Sequence, residues 1–242
     1  MSRALRRVVA VAAGCGLAGF ALTGCVVVRA ARKAEATAHG NAAVINLFTS
    51  NLKSGQPSTF QVTYVTTGSS PAKIVYAVRP PGELAFTDTH TGSPAASGTG
   101  DFQLIVNSAG QFLCTHPAKD SLGWSCRKLP KSGAAAERGL LDFYTSAHWV
   151  SFLKGFALAV GFTGEKVSSS TMTVNGYSMQ CVDFVTSGVA GTSRVCSTAQ
   201  HLLGYVQVGS QATGFEITSY TASPPASAFE LPAGAVITGS GG

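Results

Sequence analysis

Two stretches of the chain place a cysteine on either side of a turn-rich centre. They are Phe112–Leu129, FLCTHPAKDSLGWSCRKL, and Tyr177–Thr198, YSMQCVDFVTSGVAGTSRVCST. In each, apolar or β-prone residues flank the turn, so pairing the flanks as antiparallel strands brings the two sulfurs together. Four cysteines allow three connectivities. The hairpins select Cys114 with Cys126 and Cys181 with Cys196. Zinc is disfavoured, because no CxxC or His spacing accompanies them. A chain that closes both bridges is committed to antiparallel β structure in two separate regions.

Disulfides require an oxidising compartment, and the N-terminus supplies a route to one. Arg3, Arg6 and Arg7 precede an uncharged run, Val9–Val28, VAVAAGCGLAGFALTGCVVV. A short basic start, an apolar core and a small-residue site are the parts of a secretory signal. Leu22-Thr23-Gly24-Cys25 resembles the lipobox of bacterial lipoproteins. That resemblance implies a cut before Cys25, a diacylglyceryl group on its thiol (palmitate among the acyl chains) and removal of residues 1–24. Cys15 lies mid-run and is discarded with the signal. The alternative is an uncleaved anchor helix, favoured by Arg29, Arg32 and Lys33 just beyond the run. Either reading tethers the protein to the cell membrane, facing its extracytoplasmic side.

Residues 1–24 hold three of the 17 Lys+Arg and none of the 11 Asp+Glu, so the formal charge falls from +6 to +3 without them. No Lys/Arg cluster interleaves with aromatics, which argues against nucleic acid as a partner. The remaining 218 residues suffice for one sizeable domain, expected to act as a monomer.

Past the anchor stem, an Ala-rich segment with Val44, Leu47, Phe48 and Leu52 predicts a helix near residues 30–53, with Gly40 and Asn41 as an interruption. Alternating stretches then predict a meander: TFQVTYVTTG, KIVYAVRPPGELAFTDTH broken at Pro80-Pro81-Gly82, DFQLIVNSAGQFLCTH and GWSCRKL. The stretch 134–162 changes character, being helix-forming and apolar on nearly every side from Trp149 onward. Such a helix must be covered on more than one face. After it the β pattern resumes through an Asn175-Gly176 hairpin signal. SRVCST, LLGYVQVGS and GFEITSYTAS follow as strands, and FELPAGAVI is expected as an extended tail.

This order of elements resembles the LolA-like family of envelope lipoproteins and carriers, including the mycobacterial LppX and LprG type. The resemblance rests on the lipobox, the helix before the first strand, the apolar insert and the ending YTASPPASAFELPAGA. It implies an α+β fold: a curved antiparallel half-barrel with an N-terminal helix and inserted apolar helices. The corresponding organisation is a signal peptide at 1–24, a lipid anchor stem and helix at 25–53, and a half-barrel domain at 54–238 with its insert at 134–162. It also implies a cavity for a lipid or lipoglycan.

No catalytic constellation emerges. His148 follows Asp142 by six residues, roughly 120° out of phase on a helix. Gly176-Tyr177-Ser178-Met179-Gln180 lacks the second glycine of a nucleophile elbow. His116 and His201 read as surface or half-buried residues, and Asp120 as a turn former. No Gly-rich phosphate loop follows a strand, so no cofactor and no enzymatic activity are expected. The ligand site expected instead is a stripe at three- and four-residue spacing, Leu141, Tyr144, His148, Phe152 and Phe156, with Phe143, Val150, Leu153 and Val160 on the opposite flank. The leading expectation is a membrane-anchored carrier of a hydrophobic ligand. The alternative is a filled-core sensor or adaptor that binds an envelope protein.

Overall fold

The computed structural model describes residues 23–55, 57–68, 71–90, 100–117, 123–130, 149–154, 167–185, 190–210 and 213–239. Among the described residues, helix α1, Thr23–Ser54, leads into twelve strands. These are β1 Phe60–Thr67, β2 Ala72–Arg79, β3 Glu83–His90, β4 Asp101–Asn107, β5 Gly110–His116 and β6 Ser125–Leu129 in the first half. The second half holds β7 Ser168–Val174, β8 Tyr177–Val185, β9 Thr192–Thr198, β10 Leu203–Val208 and β11 Thr213–Thr221, and β12 Val236–Thr238 closes the chain. All twelve form one curved, unclosed sheet in the order β12-β6-β5-β4-β3-β2-β1-β11-β10-β9-β8-β7. Every ladder is antiparallel except β12 on β6.

Register explains which residues form the core. Opposed residues on paired strands share a face, and one row runs Leu113–Leu104–Phe86–Tyr76–Val62 across β5 to β1. A second runs Phe215–Val206–Val195–Val182 across β11 to β8. Both belong to the inner face, the one α1 covers, and they join a single apolar cluster with Ile45, Phe48 and Leu52 of α1. Those three lie at helical spacing on one side of α1 and are at most 4% exposed. The pairing also forms both expected disulfides: Cys114 lies opposite Cys126, and Cys181 opposite Cys196. Two oxidised pairs mark an extracytoplasmic domain.

Two findings depart from expectation. First, α1 is not interrupted at Gly40 and Asn41. Asn41 is buried and its Oδ1 accepts the Val167 N–H at 2.9 Å, tying the helix to the chain entering β7. Second, the C-terminal tail is more than an extension. It turns through a short 3-10 helix, Ala226–Phe229, whose Phe229 seals Ala77 and Ala85 on the outer face. Leu231 and Ala235 then pack on Phe112 and the Cys114–Cys126 bridge, and β12 caps the edge of β6. Of the expected insert at 134–162, residues 149–154 are helical and the remainder lies outside the described residues. No helix among the described residues is long and apolar enough to cross a membrane.

Candidate functional site

The inner face is where a lipid cavity was expected, and described side chains of α1 and of residues 149–154 are buried against it. Trp149, Val150 and Leu153 of the helical segment are 0–6% exposed and join the cluster made by α1 and the sheet. Phe152, the one residue of the expected ligand stripe that is described, is 46% exposed and lies edge-on to Trp149. Leu141, Tyr144, His148 and Phe156 lie outside the described residues, as do Asp142, Phe143, Val160 and Asp120.

Among the described residues, two adjoining clefts lie at one margin of the sheet, between α1 and the strand at that margin. A cleft of about 460 Å³ is lined by Val44, Leu47 and Phe48 of α1 and by Ser169, Thr171 and Val182 among the strand residues. A second, about 610 Å³, continues past Thr171 and Thr173 to Asn51, Ser178, Gln180 and His201. Together they form a groove beside β7. Its wall is exposed apolar surface at one end, where Leu47 is 70% exposed, and amide and hydroxyl groups at the other.

The groove is held at several points. Asn51 donates from Nδ2 to Gln180 Oε1 at 2.6 Å, bridging the end of α1 to β8. The Nδ1 of His201 sits 2.6 Å from the Asn51 carbonyl. The imidazole leaves no room for a side chain at Gly55, where an added Cβ would fall 2.2 Å from His201 Cδ2. Beneath the strands, Asp183 accepts from Ser170 Oγ and from Arg194 Nε, each at 2.5 Å, pinning β7 and β9 to β8. The Arg194 guanidinium is held above its ordinary value mainly by that hydrogen bond to Asp183.

Ser178 and His201 thus share a cleft, but no carboxylate lines it among the described residues. A third cleft, about 410 Å³, gathers Asp88, His90, Asp101 and His116 at the far end of β3 to β5. Burial pushes the Asp88 carboxyl above the ordinary carboxylate range; His90 opposes the shift and Asp101 reinforces it. Asp88 Oδ1 is buried with no hydrogen-bond partner. Among the described residues no group of three His, Cys, Asp or Glu could hold a metal ion.

Sequence reasoning did not find the groove. Its signal was the uncharged, β-prone run Ser168-Ser169-Ser170-Thr171-Met172-Thr173-Val174, which reads as an ordinary strand until its place at the end of the sheet is known.

No family model matches the sequence, and no curated protein matches it. Among solved structures, the chain is similar to the crystal structure of MucB, with 12% identity, 79% of this chain and 64% of that one covered, and a TM-score of 0.46. It is similar to MucB in complex with MucA(peri), at 12% identity, 79% and 60% coverage and a TM-score of 0.40. It is also similar to the Pseudomonas aeruginosa MucA/MucB complex, at 14%, 80% and 61%, and 0.40. The chain spans about three fifths of the length of those structures.

Proposed function

We propose that the protein is a membrane-tethered envelope module that binds a protein partner and performs no catalysis. The observation that carries this reading is the inner face filled by Ile45, Phe48, Leu52, Trp149, Val150 and Leu153, each at most 6% exposed. An acyl chain gains affinity by burial, about 0.8 kcal/mol per methylene. Where the protein's own side chains already occupy the sheet, that gain is not on offer. The described residues also leave a long groove at the sheet margin, a form suited to a polypeptide.

The tether in this reading is lipidated Cys25, supported by the lipobox and its basic flank. Helix α1 passes through Cys25, and its first buried side chain is Asn41 among those described. Sixteen residues of helix make a stem of about 24 Å between the two, lifting the groove away from the headgroups. Loss of labelled palmitate on Cys25→Ser, with the wild type labelled, is the expected result for the anchor.

A photo-crosslinking residue in place of Leu47, used in intact cells, tests the binding reading. A discrete protein adduct, together with a native mass equal to the chain and its anchor alone, is expected. Stoichiometric co-purifying lipid with no adduct would return the protein to the carrier class.

A further inference from the structure

We propose that the outer edge of β7 receives an extended, uncharged segment of the protein partner as an added strand, with alternate side chains of that segment seated in the groove against α1. This rests on the protein-binding reading and names its site.

The disulfide fixes which main-chain groups are available. The Cα atoms of Cys181 and Cys196 are 4.0 Å apart. Non-hydrogen-bonded cross-strand pairs are separated by about 4.5 Å and hydrogen-bonded pairs by about 5.5 Å, so Cys181 belongs to the first kind. Its N–H and C=O therefore turn away from β9 and toward β7, where it faces Ser170. Main-chain groups alternate sides along a strand. Ser170 and Met172 consequently bond back to β8, while Ser169, Thr171 and Thr173 turn their N–H and C=O groups away from it, to a side where no described strand pairs. The side chains of the same three residues line the groove. A strand added there would place the residues opposite them on the same face, against Val44, Leu47 and Phe48.

The two edges of the sheet are treated differently. On one side the tail's own β12 covers β6 and is itself only three residues long. Short edges resist further pairing. On the other side β7 is seven residues long, about 23 Å, and carries no Lys, Asp, Glu or Pro, the residues that usually protect an edge. Ser169, Thr171 and Thr173 are all exposed. Charge bears on the occupant as well: among the described residues, the two clefts beside β7 are lined by no Lys, Arg, Asp or Glu. An ionised side chain entering there would find no counter-charge among the described residues, and an apolar one would find Leu47. Strand addition of this kind draws affinity from main-chain hydrogen bonds and specificity from alternate pockets.

The test uses the full chain and three fluorescein-labelled heptapeptides that alternate Thr with Val, Leu or Phe, read by fluorescence anisotropy. At least one is expected to bind saturably. Thr171→Pro removes an outward N–H while leaving the β7–β8 ladder intact, so the variant should fold and bind at least tenfold more weakly. Should it fail to fold, Thr171→Lys serves the same purpose. N-methylating the alternate peptide residues whose amides face β7 should also weaken binding at least tenfold, whereas methylating the other set should change it less than twofold. Amide exchange at Ser169, Thr171 and Thr173 should slow on binding.

Three outcomes overturn the proposal: no binding by any of the peptides, binding indifferent to both Thr171→Pro and methylation, or a dimer of the chain itself that Thr171→Pro abolishes. If the Leu47 crosslink still captures a partner in those cases, only the strand-addition site falls. If it captures none, the protein-binding reading falls with it.

Discussion

Replacing Leu52 by Ala tests whether α1 fills the inner face. Leu52 is 0% exposed in the last turns of the helix, packed with Ile45 and Phe48 on the sheet. The change deletes three carbons from a fully buried side chain. At about 0.8 kcal/mol each, transfer alone accounts for about 2.4 kcal/mol. The unfilled space adds to that, and buried Leu→Ala changes cost about 2–5 kcal/mol, so about 3 kcal/mol is expected. For a domain of this size that lowers Tm by about 6–12 °C. Leu47→Ala supplies the internal control, because Leu47 lies on the same helix but is 70% exposed. Its expected cost is within about 0.5 kcal/mol. Urea titrations with both disulfides kept oxidised measure the pair, and an unchanged m-value shows that the same surface is unfolding. A cost below about 1 kcal/mol at Leu52, or equal costs at the two positions, would refute the filled inner face.

Replacing Cys181 and Cys196 together by Ala opens a loop with a sequence separation of 15 and should cost about 3 kcal/mol, seen as a lower midpoint in thermal melts. Gly176→Ala adds a Cβ with no atom within 4 Å, at φ +82°, so its cost of about 1 kcal/mol in a urea titration is purely conformational. Asp88→Asn is expected to stabilise the protein at pH 7 and to lose that advantage near pH 3. The raised Asp88 carboxyl makes the folded state bind more protons, so wild-type stability is fullest below the ordinary carboxylate value and falls as pH rises through the raised one. Urea titrations of the two proteins at both pH values decide it, and equal midpoint differences at the two would contradict the assignment.

Most strands were legible because one face of each is buried. Phe60, Val62 and Tyr64 alternate with half-buried Gln61 and a buried Thr63, and the period of two survives in the sequence. The Asn175-Gly176 signal was equally direct: both residues have positive φ, 51° and 82°, as a tight hairpin turn demands. The cysteine pairing followed from the same local logic. Asn41 was misread because an amide in an apolar helical stretch signals a break only while its partner is unknown. Here the Val167 N–H, far along the chain, satisfies it. The tail was misread for a related reason: Val236 and Ile237 are 63% and 57% exposed, so β12 has no buried face to betray it.

The candidate site shows why local patterns stop short of function. In a helix apolar on every side, periodicity cannot say which flank meets the core. The described turn answers for itself alone, with Trp149, Val150 and Leu153 inward and Phe152 outward. For β7 the difficulty is greater, because being an edge is a property of the whole strand order and not of Ser168–Val174. The same seven residues between two strands would have their outward amides satisfied and would bind nothing. The order that leaves them free arises when the segments on either side of the insert each fold as a meander and join only through β1 and β11. The tail then returns to cover the margin made by the first meander, β6, and no described strand covers the margin made by the second, β7. A variant that freed β6 by deleting Val236–Thr238 should therefore acquire the liability that β7 already has. Its new edge, Ser125–Leu129, carries Arg127 and Lys128, so it should bind the uncharged heptapeptides more weakly than β7 does.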